Sequence, residues 1–565
     1  EKKIEPAPPW QALFRSLGEQ LDQLHYQHRD VEHDAAWLKQ HYPFAGELYM
    51  GHLRYGTHAE NTINTAHPFH RANNWKTRNL VLAGNFNLTN VEVLFQELVD
   101  LGQYPQRYSD TVTVMERIGH FLDMANQEIY DQYKEQGLTK KEISGLIARD
   151  LNVGQLLERA AKPWDGGYLM GGVLGHGDLF VLRDPNGIRP GFYYAGEDFV
   201  AAASERPAIA TAFNIPIEDV QEIPPGGALT VKRDGRVELP QVRKPLQFQS
   251  CSFERIYFSR GNDPDIYEER KALGAQLAPN LLQRVDYDLD HTVFGYIPNT
   301  SQVAFWGLLK ALEEHHNSRK AEHIRQLSPE ALQGPELDKL LKQRVRVENV
   351  ILKDSKLRTF ITEDSARDDM VGHVYDVTYG SVRPGVDTLV CLDDSIVRGT
   401  TLRQSILRIL SRLKPKRILI ASSAPQIRYP DCYGIDMSRL KDFIAFQAAI
   451  RLLESSGLSH RKEETYRRIR ELEKAGQMES ENCVKALYDP FTEDEISAEI
   501  SRGLITPDLG CEVEVVYQRL EDLPKALPRH HGAWYFSGDY PTPGGNRIVN
   551  RAFLNYYEKK HVRAY

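Results

Sequence analysis

Cysteine is scarce in this chain: five in 565 residues, and none before Cys251. So few, widely spaced thiols argue against a disulfide scaffold and suit a reducing, cytoplasmic setting. No apolar run reaches the roughly 18 residues that a membrane helix needs, and no secretory signal is visible. A basic surplus is missing too. Lysine and arginine number 70 against 78 aspartates and glutamates, for a net charge of −8. That leaves no overall footprint for nucleic acid. Internal repeats and low-complexity tracts are also absent.

What is present suits a globular protein of more than one domain, with 41% hydrophobic and 10% aromatic residues. The most informative stretch runs from Leu389 to Thr401. It reads as a buried strand, then Asp393 and Asp394, then a short turn that opens a helix. Two carboxylates at a strand end can accept hydrogen bonds from a pair of sugar hydroxyls. Gly399 and the hydroxyls of Ser395, Thr400 and Thr401 fall where backbone N–H groups and the helix dipole favour a phosphate. Leu402, Ile406, Ile409, Leu410 and Leu413 then recur at helical spacing. Pro415 stops that helix, and Arg417 to Ala421 reads as the next buried strand. A strand–helix–strand unit points to a parallel sheet with its ligand at the carboxyl ends of the strands.

Residues 1–45 read as helical and polar. Up to about residue 250 the pattern is α+β. Glu47 to Tyr55 and Asn79 to Gly84 are strand-like, and Thr89 with Glu92 has the form of a capping box. Tyr168 to Leu174 and Leu179 to Arg183 flank a hairpin turn, and Phe192 to Tyr194 and Ala228 to Val231 are further strands. The parallel-sheet domain spans 251–450, with a strand at Val293 to Ile297. His315 to Arg346 has the mixed charge of a solvated surface insertion. Residues 451–565 form a helical and aromatic extension, with a docking helix at Ile548 to Tyr557.

Several pieces occur in one order along the chain: Gly51-His52-Leu53-Arg54-Tyr55-Gly56-Thr57, Gly84-Asn85-Phe86-Asn87-Leu88-Thr89-Asn90, Ser109-Asp110, Arg183-Asp184-Pro185-Asn186-Gly187-Ile188-Arg189-Pro190, the Asp393 loop, and Ala424 to Pro430. In this order the chain resembles amidophosphoribosyltransferase, also called glutamine phosphoribosylpyrophosphate (PRPP) amidotransferase. The resemblance implies an N-terminal nucleophile (Ntn) hydrolase-like αββα sandwich over residues 1–250 and a type I phosphoribosyltransferase fold after it. It implies glutamine hydrolysis in the first half and displacement of pyrophosphate from PRPP by ammonia in the second, giving phosphoribosylamine, the first step of purine synthesis.

The same resemblance implies site residues. Arg54, Thr57 and Asp110 would bind glutamine, and Asn85 with the backbone N–H of Phe86 would form the oxyanion hole. Asp393, Asp394, Ser395, Arg398, Gly399, Thr400 and Thr401 would bind PRPP, together with Asn299, Thr300, Ser301 and Arg260. Mg²⁺ would sit at Asp393 and Asp394. Arg358 and Arg367 would close over the substrate. Nucleotide effectors and a homo-oligomer, dimer or tetramer, are also implied. A buried ion pair for Arg54 and a helix N-cap for Asp110, ahead of Val114, Ile118 and Leu122, stand as alternatives.

Departures from the pattern set further expectations. Phe86 replaces a glycine, Gly84 a histidine and Asn299 an acid, and Glu363 to Asp369 is acidic where the resemblance implies basic residues. The nucleophilic cysteine expected at the mature N terminus is missing from these residues. Either a leading segment precedes Glu1, the favoured reading, or the glutaminase half is inactive and the enzyme uses free ammonia. A non-catalytic PRPP sensor is the third reading. One branch of the family binds an iron–sulfur cluster. Its ligand positions fall on Cys251, Cys432, Gly532 and Tyr535, so no cluster is expected.

Overall fold

The computed structural model describes residues 9–27, 34–42, 45–53, 66–105, 108–353, 375–435, 437–560 and 562–564. The chain divides into two compact units. The first comprises Glu1–Ser204, Gln221–Leu246 and Tyr433–Asp436, and the second Glu205–Val220, Gln247–Cys432 and Met437–Tyr565. Among the described residues no helix is long and apolar enough to cross a membrane.

The first unit contains β1 (Phe69–Arg71), β2 (Leu80–Leu88), β3 (Gly166–Leu174), β4 (Leu179–Arg183), β5 (Phe192–Ala195), β6 (Val200–Ala203), β7 (Gln221–Glu222), β8 (Ala228–Val231) and β9 (Val237–Glu238). An antiparallel sheet has the order β1-β2-β3-β4-β8-β9, and a smaller one the order β6-β5-β7. Side chains alternate across a strand, so parity assigns each residue to a layer. Tyr168, Met170, Phe180, Leu182 and Ala228 face one core, with Leu94, Val114, Ile118, Leu122 and Leu157 of the helices Val91–Asp100, Asp110–Glu135 and Val153–Ala161. Leu169 and Leu229 face the other core, with Tyr193 of β5 and Ile223. Helices therefore cover one face of the large sheet and the small sheet covers the other.

Two local expectations change. Residues 47–53 are irregular instead of a strand, and 54–55 lie outside the described residues. The Thr89–Glu92 capping box does not form. Asn90 is the N-cap and makes no side-chain cap bond. Thr89 is held across the sheet, where its N–H donates to the Asp165 carbonyl at 2.8 Å and its hydroxyl to Asp165 Oδ1 at 2.5 Å.

The second unit carries β10 (Thr292–Tyr296), β11 (Arg346–Val347), β12 (Ile351–Lys353), β13 (Tyr375–Val377), β14 (Thr388–Asp393), β15 (Arg417–Ser422) and β16 (Glu512–Tyr517). Five of these form an all-parallel sheet in the order β11-β10-β14-β15-β16. The central strand, β14, is fully buried at Leu389, Val390, Cys391 and Leu392, which is why it reads as an unbroken apolar run. β12 and β13 pair separately as an antiparallel ribbon.

The expected boundary at 450 falls inside the helix Ile444–Ser455. Residues 451–565 do not stand apart as an extension, because β16 pairs with β15 along its whole length. Its buried Val513, Val515 and Val516 favour a strand. The expected insertion at 315–346 begins inside a longer element: the helix Gln302–Arg325 runs on through His315, anchored by buried Leu308 and Leu312.

Below the sheet, Asp387 is fully buried. It accepts hydrogen bonds from Arg346 at 2.7 and 3.0 Å and from the Arg383 side chain and N–H at 2.6 to 2.9 Å. These two guanidinium partners outweigh burial and hold its carboxyl far below the ordinary range. A group with a depressed pKa stabilises the fold above the unfolded value and loses that effect as pH falls. Asp387→Ala should therefore lower the apparent melting temperature at neutral pH, with a loss on the order of 3 kcal/mol for a broken buried pair. The deficit should shrink below about pH 4. Thermal melts at both pH values check this.

Candidate active site

β14 delivers two carboxylates to the carboxyl end of the central strand. Asp393 ends the strand, and its Oδ1 accepts the Asp394 N–H at 2.9 Å. The next strand fixes the loop: Ser423 N–H donates to the Asp393 carbonyl and Ala424 N–H to the Asp394 carbonyl, each at 3.0 Å. Ser395 donates its hydroxyl to Asp394 Oδ1 at 3.0 Å. Gly399 has φ +70°, a left-handed conformation suited to glycine, and a Cβ there would collide with Ile444. The helix starts at Thr400. Arg398, Thr400 and Thr401 are exposed around that start, and Ser395 and Gly399 are half-buried. The loop thus combines a concave backbone, a helix N terminus and hydroxyl groups, all suited to a phosphate.

The acids carry an electrostatic penalty. Burial and the Asp394 charge push the Asp393 carboxyl well above the ordinary range. Burial also raises Asp394, to about 6, against the Ser395 hydrogen bond and the Arg270 guanidinium. The pair favours a shared proton, a cation or hydroxyl donors.

Sequence reasoning missed the groups around these acids. Arg270 is buried and donates to the carbonyls of Arg255 and Ser259 at 2.9 and 2.7 Å. Its field reaches Asp394. Tyr375 of β13 is raised to about 12 by burial and by the charges of the two acids. Lys353 of β12, whose charge also reaches Asp394, lies with Nζ 5.6 Å from the Tyr375 ring centre. The cross-strand match Lys353↔Tyr375 brings them together. No local motif marks them, because only the folded ribbon carries them to the loop.

Beside this loop, at the end of the neighbouring strand β10, Asn299 is exposed and Thr300 half-buried. Ser301 is fully buried and donates its hydroxyl to the Ile297 carbonyl, so it serves the turn. Arg260 is largely exposed and lies 4.0 Å from Glu205, whose carboxylate also accepts its N–H at 2.8 Å.

In the first unit, Asn85 is exposed on β2, while the Phe86 side chain turns into the helix-side core. Asp110 is the first residue of its helix. Ser109 is the N-cap, and Asp110 Oδ1 accepts the Thr111 N–H at 2.6 Å. Arg54, Thr57, Arg358 and Arg367 lie outside the described residues.

No family model matches the chain. Curated amidophosphoribosyltransferases do. The Pseudomonas aeruginosa, Escherichia coli and Saccharomyces cerevisiae proteins are 27%, 28% and 26% identical to it, each over 71% of this chain and 70% of their own. These are its relatives. The Bacillus subtilis glutamine PRPP amidotransferase, solved with ADP and GMP, aligns with a TM-score of 0.54 at 23% identity, over 87% of this chain and 82% of that one. A structure described as the allosteric regulatory enzyme of purine biosynthesis aligns at 0.55. The fold is therefore that of the PRPP amidotransferases, an Ntn-type unit joined to a type I phosphoribosyltransferase unit.

Against the amidophosphoribosyltransferase pattern, the cysteine positions are informative. The Cys251 backbone forms a parallel bridge with Gly532, and Cys251 Sγ lies 3.2 Å from the Tyr535 hydroxyl. Three of the four positions are thus neighbours. However, Tyr535 is fully buried, and a Cβ on Gly532 would lie 2.5 Å from the Ser250 carbonyl. Neither residue offers a thiolate, and the tyrosine ring fills the junction, so these residues do not fit an iron–sulfur cluster.

The raised acids give a signed prediction. A carboxyl whose folded pKa lies above its unfolded value loses stability as pH rises from about 4 toward about 6. Unliganded Asp394→Asn should melt higher than the parent near pH 8, and at the same temperature near pH 4. Calorimetric scans at both values test it, and a gain that persists in acid would rule out charge relief as the cause.

Proposed function

We infer that this protein transfers ammonia from glutamine to PRPP, giving phosphoribosylamine, pyrophosphate and glutamate. The observation that carries the reading is the half-buried carboxylate pair beside a helix start suited to a phosphate at the carboxyl end of β14. The curated relatives bear the same activity in their name.

Asp393 and Asp394 would accept hydrogen bonds from the two ribose hydroxyls, and the N–H groups and hydroxyls from Ser395 to Thr401 would hold the 5′-phosphate. Displacement at C1 proceeds with the sugar carbon becoming cationic, so fixed orientation and nearby negative charge supply most of the acceleration. Ammonia forms the new bond to C1 as the C1–pyrophosphate bond breaks, and the electron pair leaves with pyrophosphate. Arg270 would balance the carboxylates while PRPP is absent.

Among the described residues no cluster of three or more His, Cys, Asp or Glu side chains could hold a metal. Two hard carboxylate ligands nonetheless suit Mg²⁺, which keeps most of its waters and binds through substrate phosphates. Asp393 and Asp394 would hold it, and when bound it would neutralise the departing pyrophosphate. In the first unit, Asn85 and the Phe86 N–H would stabilise the oxyanion of glutamine hydrolysis, with Arg54, Thr57 and Asp110 holding the amino acid. Purine nucleotides, the kind of ligand held by the Bacillus subtilis enzyme, would act as effectors of a homo-oligomer in the cytoplasm.

Asp393→Asn and Asp394→Asn should each lower PRPP turnover with ammonium as donor by on the order of 10²-fold, the scale expected when a preorganised charge is removed. Pyrophosphate release measures it. Unchanged turnover in both variants would overturn the assignment of this loop.

A further inference from the structure

An antiparallel strand directs its backbone groups alternately toward its two neighbours. Two bonds beyond the ends of β2, from Gly175 N–H to the Asn79 carbonyl and from Thr89 N–H to the Asp165 carbonyl, show that odd-numbered residues face β3. Even-numbered residues face β1, which pairs no further than Leu82. Gly84 and Phe86 therefore direct their N–H and C=O groups at an edge that β1 does not reach.

At Gly84, two imidazoles meet those groups. The Gly84 N–H donates to His67 Nδ1 at 3.3 Å, and His52 Nε2 donates to the Gly84 carbonyl at 3.1 Å. The two rings stack, with centroids 4.5 Å apart and planes at 21°. The His67 ring also meets the Phe86 ring edge-on at 6.3 Å. These contacts set the protons. His67 must be unprotonated at Nδ1 to accept, and His52 must carry a proton on Nε2 to donate. Position 84 itself has no room for a side chain, since a Cβ there would lie 2.7 Å from the Leu169 carbonyl. The imidazoles have to reach Gly84 from outside the strand.

We propose that His67, braced by the stacked ring of His52, is a positioning residue for glutamine hydrolysis. It holds the Gly84 peptide so that the next two groups along the strand, the Asn85 amide and the Phe86 N–H, stay aimed at the forming oxyanion. This rests on the role given to Asn85 and Phe86 above. The physical case is that, among the described residues, the β1 ladder ends at Leu82, so at Gly84 the imidazole contacts take the place of ladder bonds in fixing the strand. A donor displaced from the developing charge loses transition-state stabilisation while leaving substrate binding intact.

The test uses the full-length protein and compares glutamine with ammonium as donor. His67→Ala should lower the glutamine-dependent kcat about tenfold or more, with the KM for glutamine and the ammonium rate changed less than about twofold. His67→Gln, whose amide oxygen can accept the Gly84 N–H, should recover most of the lost rate. Retained kcat in His67→Ala overturns the proposal. So does an equal loss with both donors, which would assign His67 a general structural role, and so does a failure of His67→Gln to rescue. A parent protein that uses ammonium but not glutamine would overturn the glutaminase reading itself, whatever the variants do.

Discussion

Two like charges forced together at the end of one strand are the constraint around which the second unit is arranged. Asp393 and Asp394 lie next to each other, half-buried, and burial alone already disfavours their ionised forms. Surrounding features make this tolerable. Arg270 supplies a buried counter-charge, and backbone N–H groups from the end of β15 fasten the loop. The apolar strand beneath, enclosed on both faces, leaves the acids no route away from the rim. Strain of this kind persists only where the surrounding structure is rigid enough to hold it. The same pair that weakens the free protein would be relieved by a shared proton, hydroxyl donors or a cation.

The first unit shows how a motif can carry resemblance without carrying chemistry. The run from Arg183 to Arg189 uses its polar groups inward. Asp184 accepts the N–H groups of Asn186, Ile188 and Arg189 at 2.9 to 3.1 Å. Arg183 donates to the carbonyls of Gly187, Arg189 and Ile223 at 2.7 to 3.1 Å. Gly187 turns the chain at φ +63°. These residues close a turn at the end of β4, and Arg189 donates onward to the Tyr433 carbonyl at 2.9 Å. Charged residues that satisfy buried carbonyls are constrained by geometry as tightly as any binding residue.

Much of the architecture was legible in residue order because period and burial agreed. β14 and β15 read as unbroken apolar runs and proved to be central strands, and the hairpin of β3 and β4 followed from its turn residues. The loop between β14 and its helix was legible for the same reason, since acid pair, glycine and hydroxyl groups are contiguous. What stayed hidden depended on long-range pairing. Thr89 has the local grammar of a helix cap but is taken by Asp165, 76 residues away. β16 is separated from β15 by about 90 residues of helix and loop, so nothing local announces that it completes the sheet. Tyr375, Lys353 and Arg270 come from three different elements, and His67 and His52 reach Gly84 from outside the strand. Such convergence is a property of the fold and leaves no spacing to read.

The position of β16 also bears on synthesis. During translation the Asp393 loop leaves the ribosome well ahead of the strand that finishes its sheet, and N-terminal parts generally fold first. Until residues 512–517 arrive, β15 presents a bare row of peptide groups, a template for joining the wrong chain. Nascent or prematurely terminated products that stop short of β16 are thus the forms of this protein most exposed to aggregation, although every residue of the Asp393 loop is already present in them.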